Sequence, residues 1–330
     1  MRAWVQERYG SADVLEFTEV ARPVPGEREV LVRVHAAAVN AADWHLMRGD
    51  PYVARFALGL RRPKERIRGR DFAGVVEAVG GGVTELRPGD EVFGEAPGSF
   101  AEYVCAPVAA TELKPAGLGF AEAAAIPLAG NTALIGVRDL GRARPGAKVL
   151  VNGASGGVGT FAVQLAKALG AEVTGVCGSR NGQLVLGLGA DRVVDYTRED
   201  FTASQDRYDL VFDLVGNRSL GELRRILSPT GALVLSGGGV FEGGSVFGPM
   251  GLLIKGRLVA TFADRRLHVP TAEPRRENLA ALREFAESGG IAPVIGRTYP
   301  LAEADRALRY VEEGHARAKV VLSCLPPSGP

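Results

Sequence analysis

Residues 148–180 read KVLVNGASGGVGTFAVQLAKALGAEVTGVCGSR, and this stretch decides the fold. Residues 148–152 form a short apolar run that favours a β-strand, and residues 153–159 form a glycine-dense turn. Residues 160–169 carry apolar side chains at helical spacing, and a second apolar run follows at residues 172–177. The stretch therefore predicts a strand, a turn, a helix and a second, parallel strand, which is one βαβ unit.

The turn carries glycines at the spacing Gly153-x-x-Gly156-x-x-Gly159. The first glycine lets the chain turn sharply off the strand, the second lets backbone N–H groups approach a pyrophosphate, and the third lets the helix pack close to the sheet. The helix N-terminus adds partial positive charge for the anion. We therefore expect a dinucleotide to lie over this turn, against Gly153, Ser155, Gly156, Gly157, Val158 and Gly159.

The end of the second strand indicates which dinucleotide binds. An NAD site places Asp or Glu about 20 residues beyond the glycines, where the carboxylate bonds the ribose hydroxyls. This chain has Gly178, Ser179 and Arg180 there, so the segment offers no carboxylate to repel a 2′-phosphate. A hydroxyl and a guanidinium can bind that phosphate, and the pattern favours NADP(H) over NAD(H). The alternative is that Arg180 is only a solvated loop residue.

The composition is that of an ordinary globular protein. The chain has 330 residues, 46% of them hydrophobic and 23% charged, with a formal net charge of +1. This balance gives no reason to expect nucleic acid or a membrane as a partner, and the basic run at residues 61–70 is interpreted as a solvated loop. Three distant cysteines and no signal-peptide pattern predict a cytoplasmic protein without disulfides.

Three segments differ in their patterns. Residues 1–120 contain short strand patterns separated by Gly and Pro turns, with a helical turn at residues 40–49, and predict a small barrel-like β domain. Residues 121–262 alternate helix and strand, which predicts an α/β doubly wound parallel sheet. Residues 263–330 contain two helical patterns and a last strand at residues 319–323, and we assign them to the first domain.

Some predictions concern single elements of the second segment. A helical pattern over residues 121–140 contains Pro127 and Gly130, so we expect a break near residues 129–133. A further strand is predicted at residues 255–262. Ligands of doubly wound sheets lie at the carboxyl ends of the strands, so the loops that carry Val215 and Ser236 should border the cofactor.

The sequence resembles the medium-chain dehydrogenase/reductase superfamily, in its zinc-free quinone oxidoreductase branch. The motifs that carry the resemblance are VNAAD at 39–43, GRDFAGVVEAVG at 69–80, PGDEVFG at 88–94, FAEYV at 100–104, AAAIPLAGNTAL at 123–134, NGASGGVG at 152–159, DRVVDY at 191–196 and EEGHARAKVVL at 312–322. The resemblance implies a GroES-like substrate domain at 1–120, a Rossmann domain that binds NADP at 121–262, and a return segment at 263–330 that completes the substrate domain.

Three departures from the zinc-dependent members predict that no metal is bound. Those members carry a cysteine where this chain has Asn40, and a GHE motif where it has Gly69, Arg70 and Asp71. Arginine is always protonated and cannot be a ligand. The segment EAPGSF at residues 95–100 leaves no room for the lobe that holds their structural zinc.

The resemblance also implies residue roles. Asn40 and Thr132 are expected near the nicotinamide, and Tyr196 near the adenosine phosphate with Ser179 and Arg180. His45 is the first candidate for the proton donor, because quinone oxidoreductases often place a tyrosine at the matching position, and Tyr52 ranks below it. Asp43 is expected to be a structural acceptor, and Asn40 and Thr132 could equally be ordinary turn or helix residues.

These observations predict an NADPH-dependent, zinc-free oxidoreductase that transfers hydride to quinones or α,β-unsaturated carbonyl compounds. Without a metal to polarise a carbonyl, substrates that accept hydride readily are favoured. Three alternatives remain: a NADPH-binding protein with a structural or regulatory role and little turnover, a reductase or dehydrogenase of other small carbonyls or alcohols, and, less consistent with residues 178–180, a methyltransferase. The resemblance implies a homodimer through the sheet edge of the cofactor domain.

Overall fold

The computed structural model describes residues 1–237, 266–314 and 316–324. The predicted strand at 255–262 and the loop at 240–251 lie outside these residues. The chain forms two compact units: unit one is Met1–Asn131, Glu273–Ser288 and Pro293–Pro330, and unit two is Thr132–Ala272 and Gly289–Ala292. The domain boundaries at residues 120 and 262 remain predictions.

The described elements are numbered along the chain. The strands are β1 (Arg2–Gln6), β2 (Leu15–Glu19), β3 (Glu29–Val39), β4 (Asp71–Val79), β5 (Glu91–Glu95), β6 (Tyr103–Pro107), β7 (Thr111–Leu113), β8 (Lys148–Asn152), β9 (Glu172–Cys177), β10 (Arg192–Asp195), β11 (Tyr208–Asp213), β12 (Leu227–Leu235), β13 (Leu267–His268), β14 (Ile295–Pro300) and β15 (Lys319–Ser323). The α-helices are α1 (Ala41–Arg48), α2 (Arg55–Leu58), α3 (Phe120–Ala124), α4 (Pro127–Leu134), α5 (Gly157–Ala168), α6 (Gly182–Gly187), α7 (Leu220–Arg225), α8 (Arg276–Glu287) and α9 (Ala304–Glu312).

Unit one is built on a mostly antiparallel sheet. Its strands follow the order β14-β15-β3-β4-β5-β7, and β6 also pairs with β3. Val30, Val32 and Val34 are buried along β3, as the alternating pattern of that strand requires. The last strand, β15, pairs antiparallel with β3, and the indole Nε1 of Trp4 donates a hydrogen bond of 2.6 Å to the carbonyl of Leu301. The two ends of the described chain therefore meet in one unit.

Unit two confirms the predicted α/β class and the doubly wound sheet. Its described strands follow the order β10-β9-β8-β11-β12-β13, and every neighbouring pair is parallel. When the strands of this sheet are numbered along the chain, their spatial order is 3-2-1-4-5-6. Successive strands are therefore added in one direction from the first strand and in the opposite direction from the fourth. The switch point lies between β8 and β11, next to the glycine turn.

The helical pattern at residues 121–140 folds differently from the prediction. The break lies at residues 125–126 and not near residues 129–133, because Pro127 begins a new helix, α4, where its missing N–H costs nothing. Gly130 continues this helix by donating its N–H to Ile126. The pattern ends in a wider π-helical turn at Ile135–Leu140.

Five of the described strands have no clear signal in the sequence: β1, β2, β7, β13 and β14. β14 contains Gly296 and ends at Pro300, two residues that weaken a strand pattern. Gly296 is needed there because a Cβ would collide with the carbonyl oxygen of Arg317 on the adjoining segment. Tertiary contacts therefore outweigh local preference in this strand.

A buried carboxylate holds α8 on the sheet of unit one. Glu112 in β7 is 4% exposed and accepts hydrogen bonds from Arg276 at 2.8 Å and from Arg283 at 2.6 Å. We predict that Glu112→Gln lowers the free energy of unfolding by about 1 to 3 kcal/mol, because two partly buried guanidinium groups lose their anion. Chemical denaturation measures this change.

Glu91→Gln is the matched control. Glu91 pairs with Lys114 at 3.2 Å, and its side chain is half exposed. This change should cost less than about 0.5 kcal/mol. Equal effects of the two substitutions would contradict the role assigned to Glu112.

Candidate functional site

The glycine turn between β8 and α5 has the geometry that a pyrophosphate needs. Gly153 has a φ of +88°, which favours glycine, and Gly156 is the residue that precedes the first turn of α5. A Cβ on Gly159 would collide with the carbonyl oxygen of Gly153, so only glycine lets the helix approach the strand this closely. The N–H groups of the first helical turn lack acceptors within the helix and can bind an anion.

Asp213 arranges the loops that adjoin this turn. Its Oδ1 accepts hydrogen bonds from the side chain of Asn152 at 2.9 Å and from the N–H groups of Val215 at 3.1 Å and Gly216 at 3.0 Å. Its carbonyl oxygen accepts the N–H of Ser236 at 2.9 Å. The structure thus brings together the loops that carry the predicted residues Val215 and Ser236.

Asp213 was not identified from the sequence. It is fully buried, and its Oδ2 has no hydrogen-bond partner among the described residues. The available signal was an acid at the end of a buried apolar strand, because such a group must find hydrogen bonds at the strand end.

The predicted phosphate-binding residues gather at the ends of β9 and β10. The ring of Tyr196 lies beside Gly178, and a Cβ added to Gly178 would be 3.3 Å from the tyrosine hydroxyl. Ser155 in the glycine turn accepts a hydrogen bond of 3.1 Å from the side chain of Asn181, which joins the turn to this region. Arg180 is exposed, and no described residue accepts a hydrogen bond from its guanidinium.

Residues 178–180 contain no carboxylate, but a carboxylate from a neighbouring strand lies beside Ser179. Asp195, at the end of the neighbouring strand β10, accepts a hydrogen bond from the hydroxyl of Ser179, and Thr197 also bonds it at 2.7 Å. These hydrogen bonds hold the pKa of Asp195 below its ordinary value. This acid comes from the adjacent strand, β10, and not from the end of β9.

Asn40 lies in a buried charged cluster of unit one. Its Oδ1 accepts a hydrogen bond of 2.6 Å from the ammonium of Lys319, and its Nδ2 donates one of 2.9 Å to Asp71. Lys319 and Asp71 also form an ion pair at 3.4 Å, and both are almost completely buried. The amide group of Asn40 is therefore held in one orientation by two charged partners.

Two further buried acids adjoin this cluster. Asp43 is a structural acceptor, as expected, because its Oδ2 accepts the N–H of Asn40 at 2.7 Å. Burial raises the pKa of Asp43 to about 7. Burial likewise raises the pKa of Glu95 to about 8, and neither oxygen of Glu95 has a hydrogen-bond partner among the described residues. Arg70 Nε lies 3.9 Å from Glu95.

The remaining candidates are dispersed over the two units. His45 in α1 stacks on Trp44 with ring centroids 3.6 Å apart, its Nδ1 is 3.2 Å from the carbonyl oxygen of Asp50, and burial lowers its pKa. Tyr52 is exposed, and Arg55 lies over its ring. Thr132 is buried in α4 and belongs to unit two, whereas Asn40 and His45 belong to unit one.

The described ranges contain neither a metal-binding cluster nor a membrane-spanning helix. No group of three or more His, Cys, Asp or Glu residues in those ranges is arranged to hold a metal ion. No helix in the same ranges has both the length and the apolar character that a membrane span requires.

The raised pKa of Glu95 has a consequence for stability. The native chain keeps the Glu95 proton up to about pH 8, whereas the unfolded chain releases it near the ordinary value of 4.5, so this group lowers the free energy of unfolding as the pH rises between those values. We predict that Glu95→Gln removes this loss. Because one pKa unit corresponds to about 1.4 kcal/mol, the stability gained over the unmodified chain should grow by at least that amount between pH 5 and pH 8.

Thermal and chemical unfolding at several pH values measure this gain. Glu85→Gln is the control, because Glu85 is exposed and its pKa is lowered by Arg28. That variant should show no gain at pH 8. A Glu95→Gln gain that does not change with pH would contradict the assignment.

Comparisons with known proteins agree with this geometry. Residues 26–116 match the family model of the alcohol dehydrogenase GroES-like domain, and residues 188–322 match that of the zinc-binding dehydrogenase. The chain is 34% identical over 342 residues to the 2-methylene-furan-3-one reductase of Solanum lycopersicum, covering 99% of this chain and 80% of the relative. It is 32% identical over 345 residues to the chloroplastic NADPH-dependent alkenal/one oxidoreductase of Arabidopsis thaliana, with the same coverage of 99% and 80%.

A solved structure extends the comparison to the fold. The quinone oxidoreductase from Coxiella burnetii superposes with a TM-score of 0.84 at 30% identity, over 98% of this chain and 99% of that one. Both units of the present chain therefore have counterparts in the same known architecture, and the GroES-like and Rossmann assignments are confirmed. The chain belongs to the medium-chain dehydrogenase/reductase superfamily, among the relatives of the quinone oxidoreductases.

Proposed function

We propose that the chain is an NADPH-dependent oxidoreductase that transfers hydride to quinones or α,β-unsaturated carbonyl compounds without a metal. The observation that carries the proposal is the combination of the glycine turn with Arg180, an exposed guanidinium that no described residue engages, at the end of β9. The names of the relatives, which include an enone reductase, an NADPH-dependent alkenal/one oxidoreductase and a quinone oxidoreductase, support the same chemistry.

The residues of unit two fit the proposed cofactor. The first turn of α5 supplies N–H groups for the pyrophosphate, and the guanidinium of Arg180 supplies a bidentate partner for the 2′-phosphate. When bound, the nicotinamide supplies the hydride. Asp213 holds the loops of Val215 and Ser236 in place beside the turn.

The cluster in unit one supports chemistry without a metal. Lys319 is bonded to Asn40, and Arg70 stands where the zinc-dependent members carry a histidine ligand, so two cations occupy the neighbourhood. A guanidinium cannot coordinate a metal, and Asn40 Oδ1 already accepts a hydrogen bond from Lys319, so neither position offers a free ligand. A substrate that delocalises charge onto its own oxygen needs no such ion.

We also propose roles for three residues at the reacting centre. Asn40 and Thr132 border the nicotinamide, and His45 is the first proton donor to test. Burial lowers the pKa of His45, so its cationic form, which is the stronger acid, is disfavoured. If this donor is too weak, the chain binds NADPH with little turnover, which is the second candidate function; reduction of other small carbonyls or alcohols is the third.

We propose that the chain acts in the cytoplasm as a homodimer and that its substrate is a small molecule. Neither nucleic acid nor a membrane is proposed as a partner in this reaction. The homodimer is proposed to form through the sheet edge of unit two.

The cofactor assignment is tested at Arg180. We predict that Arg180→Ala raises the KM for NADPH at least tenfold, because one charge-assisted phosphate contact is lost, and leaves the KM for NADH nearly unchanged. Arg192→Ala is the control, since Arg192 lies at the end of β10 opposite to Asp195 and pairs with Asp206. Steady-state kinetics or calorimetric titration give both constants. An unchanged KM for NADPH in Arg180→Ala would show that Arg180 does not bind the cofactor.

Asp195 is predicted to weaken NADPH binding. Its carboxylate bonds the Ser179 hydroxyl and repels a nearby phosphate, so Asp195→Asn should lower the Kd of NADPH several-fold and change that of NADH much less. Calorimetry with the two cofactors measures the ratio. A weaker affinity for NADPH in this variant would mean that Asp195 positions Ser179 more than it repels phosphate.

A further inference from the structure

Residues 52–66 form a surface of unit one on which apolar side chains are exposed to solvent. Seven large apolar or aromatic side chains are exposed among the described residues, and three of them, Tyr52, Phe56 and Leu60, fall within this segment. Phe56 is 77% exposed and Leu60 is 64% exposed. A single exposed apolar residue is normal on a protein surface, whereas a local group of them marks an interaction site.

The backbone of this segment is tied to the rest of unit one, so the exposure of its side chains is not that of a frayed end. The Nε of Arg55 donates a hydrogen bond of 2.8 Å to the carbonyl oxygen of Gly49. The hydroxyl of Tyr9 donates one of 2.7 Å to the carbonyl oxygen of Gly59. Phe56 lies between these two attachments and is therefore held at the surface by fixed backbone on both sides.

The same segment carries a local excess of positive charge. Residues 52–66 contain five Lys or Arg residues and one acid, Glu65, although the net charge of the whole chain is only +1. Three of the five cations, Arg61, Arg62 and Lys64, are exposed, and no described residue accepts a hydrogen bond from their side chains. These charges are available to an anionic partner.

Exposed apolar side chains beside unpaired cations match the surface of an anionic bilayer. The cations are attracted to the lipid phosphates, and the apolar side chains are buried at the boundary between headgroups and acyl chains. A nucleic acid would satisfy the cations and leave Phe56 and Leu60 in water. The combination of the two kinds of side chain therefore favours a lipid surface over a hydrophilic polyanion.

We propose that residues 52–66 bind the surface of a bilayer that contains anionic lipids. Phe56 and Leu60 enter the headgroup region, and Arg61, Arg62 and Lys64 contact the lipid phosphates. The binding is peripheral and reversible, because a few apolar side chains and cations hold a protein much less firmly than a membrane-spanning helix does. This inference goes beyond the proposed function and does not depend on it, since the surface is separate from the cofactor-binding turn.

The basic run at residues 61–70, interpreted from the sequence as a solvated loop, acquires this role through the exposed apolar residues that precede it. The formal net charge gave no indication of it, because the acids that balance these cations lie elsewhere in the chain. A bilayer senses the charge that faces it and not the total charge of the protein, since screening limits the attraction to about 8 to 10 Å at ordinary salt.

Sedimentation of the full chain with vesicles tests the proposal. The chain should bind vesicles of phosphatidylcholine and phosphatidylglycerol in equal parts about tenfold more strongly than vesicles of phosphatidylcholine alone. Raising the salt from about 0.1 M to about 1 M, which shortens the Debye length from about 10 Å to about 3 Å, should remove most of this difference. Absence of binding to the mixed vesicles, or equal binding to both kinds, would overturn the proposal.

Phe56→Ser tests the apolar contribution. This change should lower the partition coefficient on mixed vesicles about tenfold, because an aromatic ring is no longer removed from water. Val24→Ser is the control, because Val24 is 86% exposed and lies outside residues 52–66. It should bind like the unmodified chain. Unchanged binding in Phe56→Ser would mean that the surface takes a hydrophilic polyanion, and the lipid assignment would be wrong.

The double variant Arg61→Gln, Arg62→Gln tests the contribution of charge. It should lower the same partition coefficient at least about tenfold, because two cations leave the lipid-facing surface. Arg224→Gln, Arg225→Gln is the matched control, since it removes the same charge from two exposed neighbours in α7 of unit two. An equal loss of binding in the two double variants would show that only the net charge matters and would refute the assignment to residues 52–66.

Discussion

The contact between Lys319, Asn40 and Asp71 is the interaction on which unit one depends. The ammonium of Lys319, in the last described strand, is buried between the amide of Asn40, which directly follows β3, and the carboxylate of Asp71, the first residue of β4. A charge so deeply buried is tolerated only when its partners are fixed, and each partner here makes further hydrogen bonds. The orientation of Asn40, the start of α1 and the position of Asp43 all follow from this arrangement. A polar network of three residues thereby fixes the amide of Asn40 at the start of α1.

The two units differ in the kind of polar group that they present. Unit two uses backbone geometry: a glycine turn, a helix N-terminus and loops held by Asp213. Such a site is insensitive to most side chains and reads the shape and charge of a phosphate. Unit one instead contains buried polar side chains, and burial raises the pKa of Asp43 and lowers that of His45.

The predictable part of the fold is the part with strict local patterns. The bounds of β8, β9 and β15 agree with the sequence patterns, because continuous apolar runs with glycine or polar ends leave little choice. The break before Pro127 was misplaced because two breakers competed, and the proline at the first helical position decided the outcome. Strand β14 was missed because its pairing depends on contacts that no local pattern records. For the candidate site, the glycine turn could be predicted, whereas Asp195 and Asp213 could not, since both act on residues of neighbouring strands. The burial of Lys319 could not be predicted either, because nothing in the segment KVVLS distinguishes a buried lysine from an exposed one.

The topology also constrains the order in which the chain can fold during synthesis. Unit two takes its described residues from one nearly continuous stretch, and its parallel sheet can form once the residues up to 268 have emerged. Unit one cannot complete its sheet until β15 reaches β3, some 280 positions behind it in the sequence. A ribosome translating this chain therefore carries a finished nucleotide-binding lobe beside an open β-sheet whose edge at β3 awaits its last partner. Such an unpaired edge is where a folding chaperone would act and where premature association between nascent chains would begin.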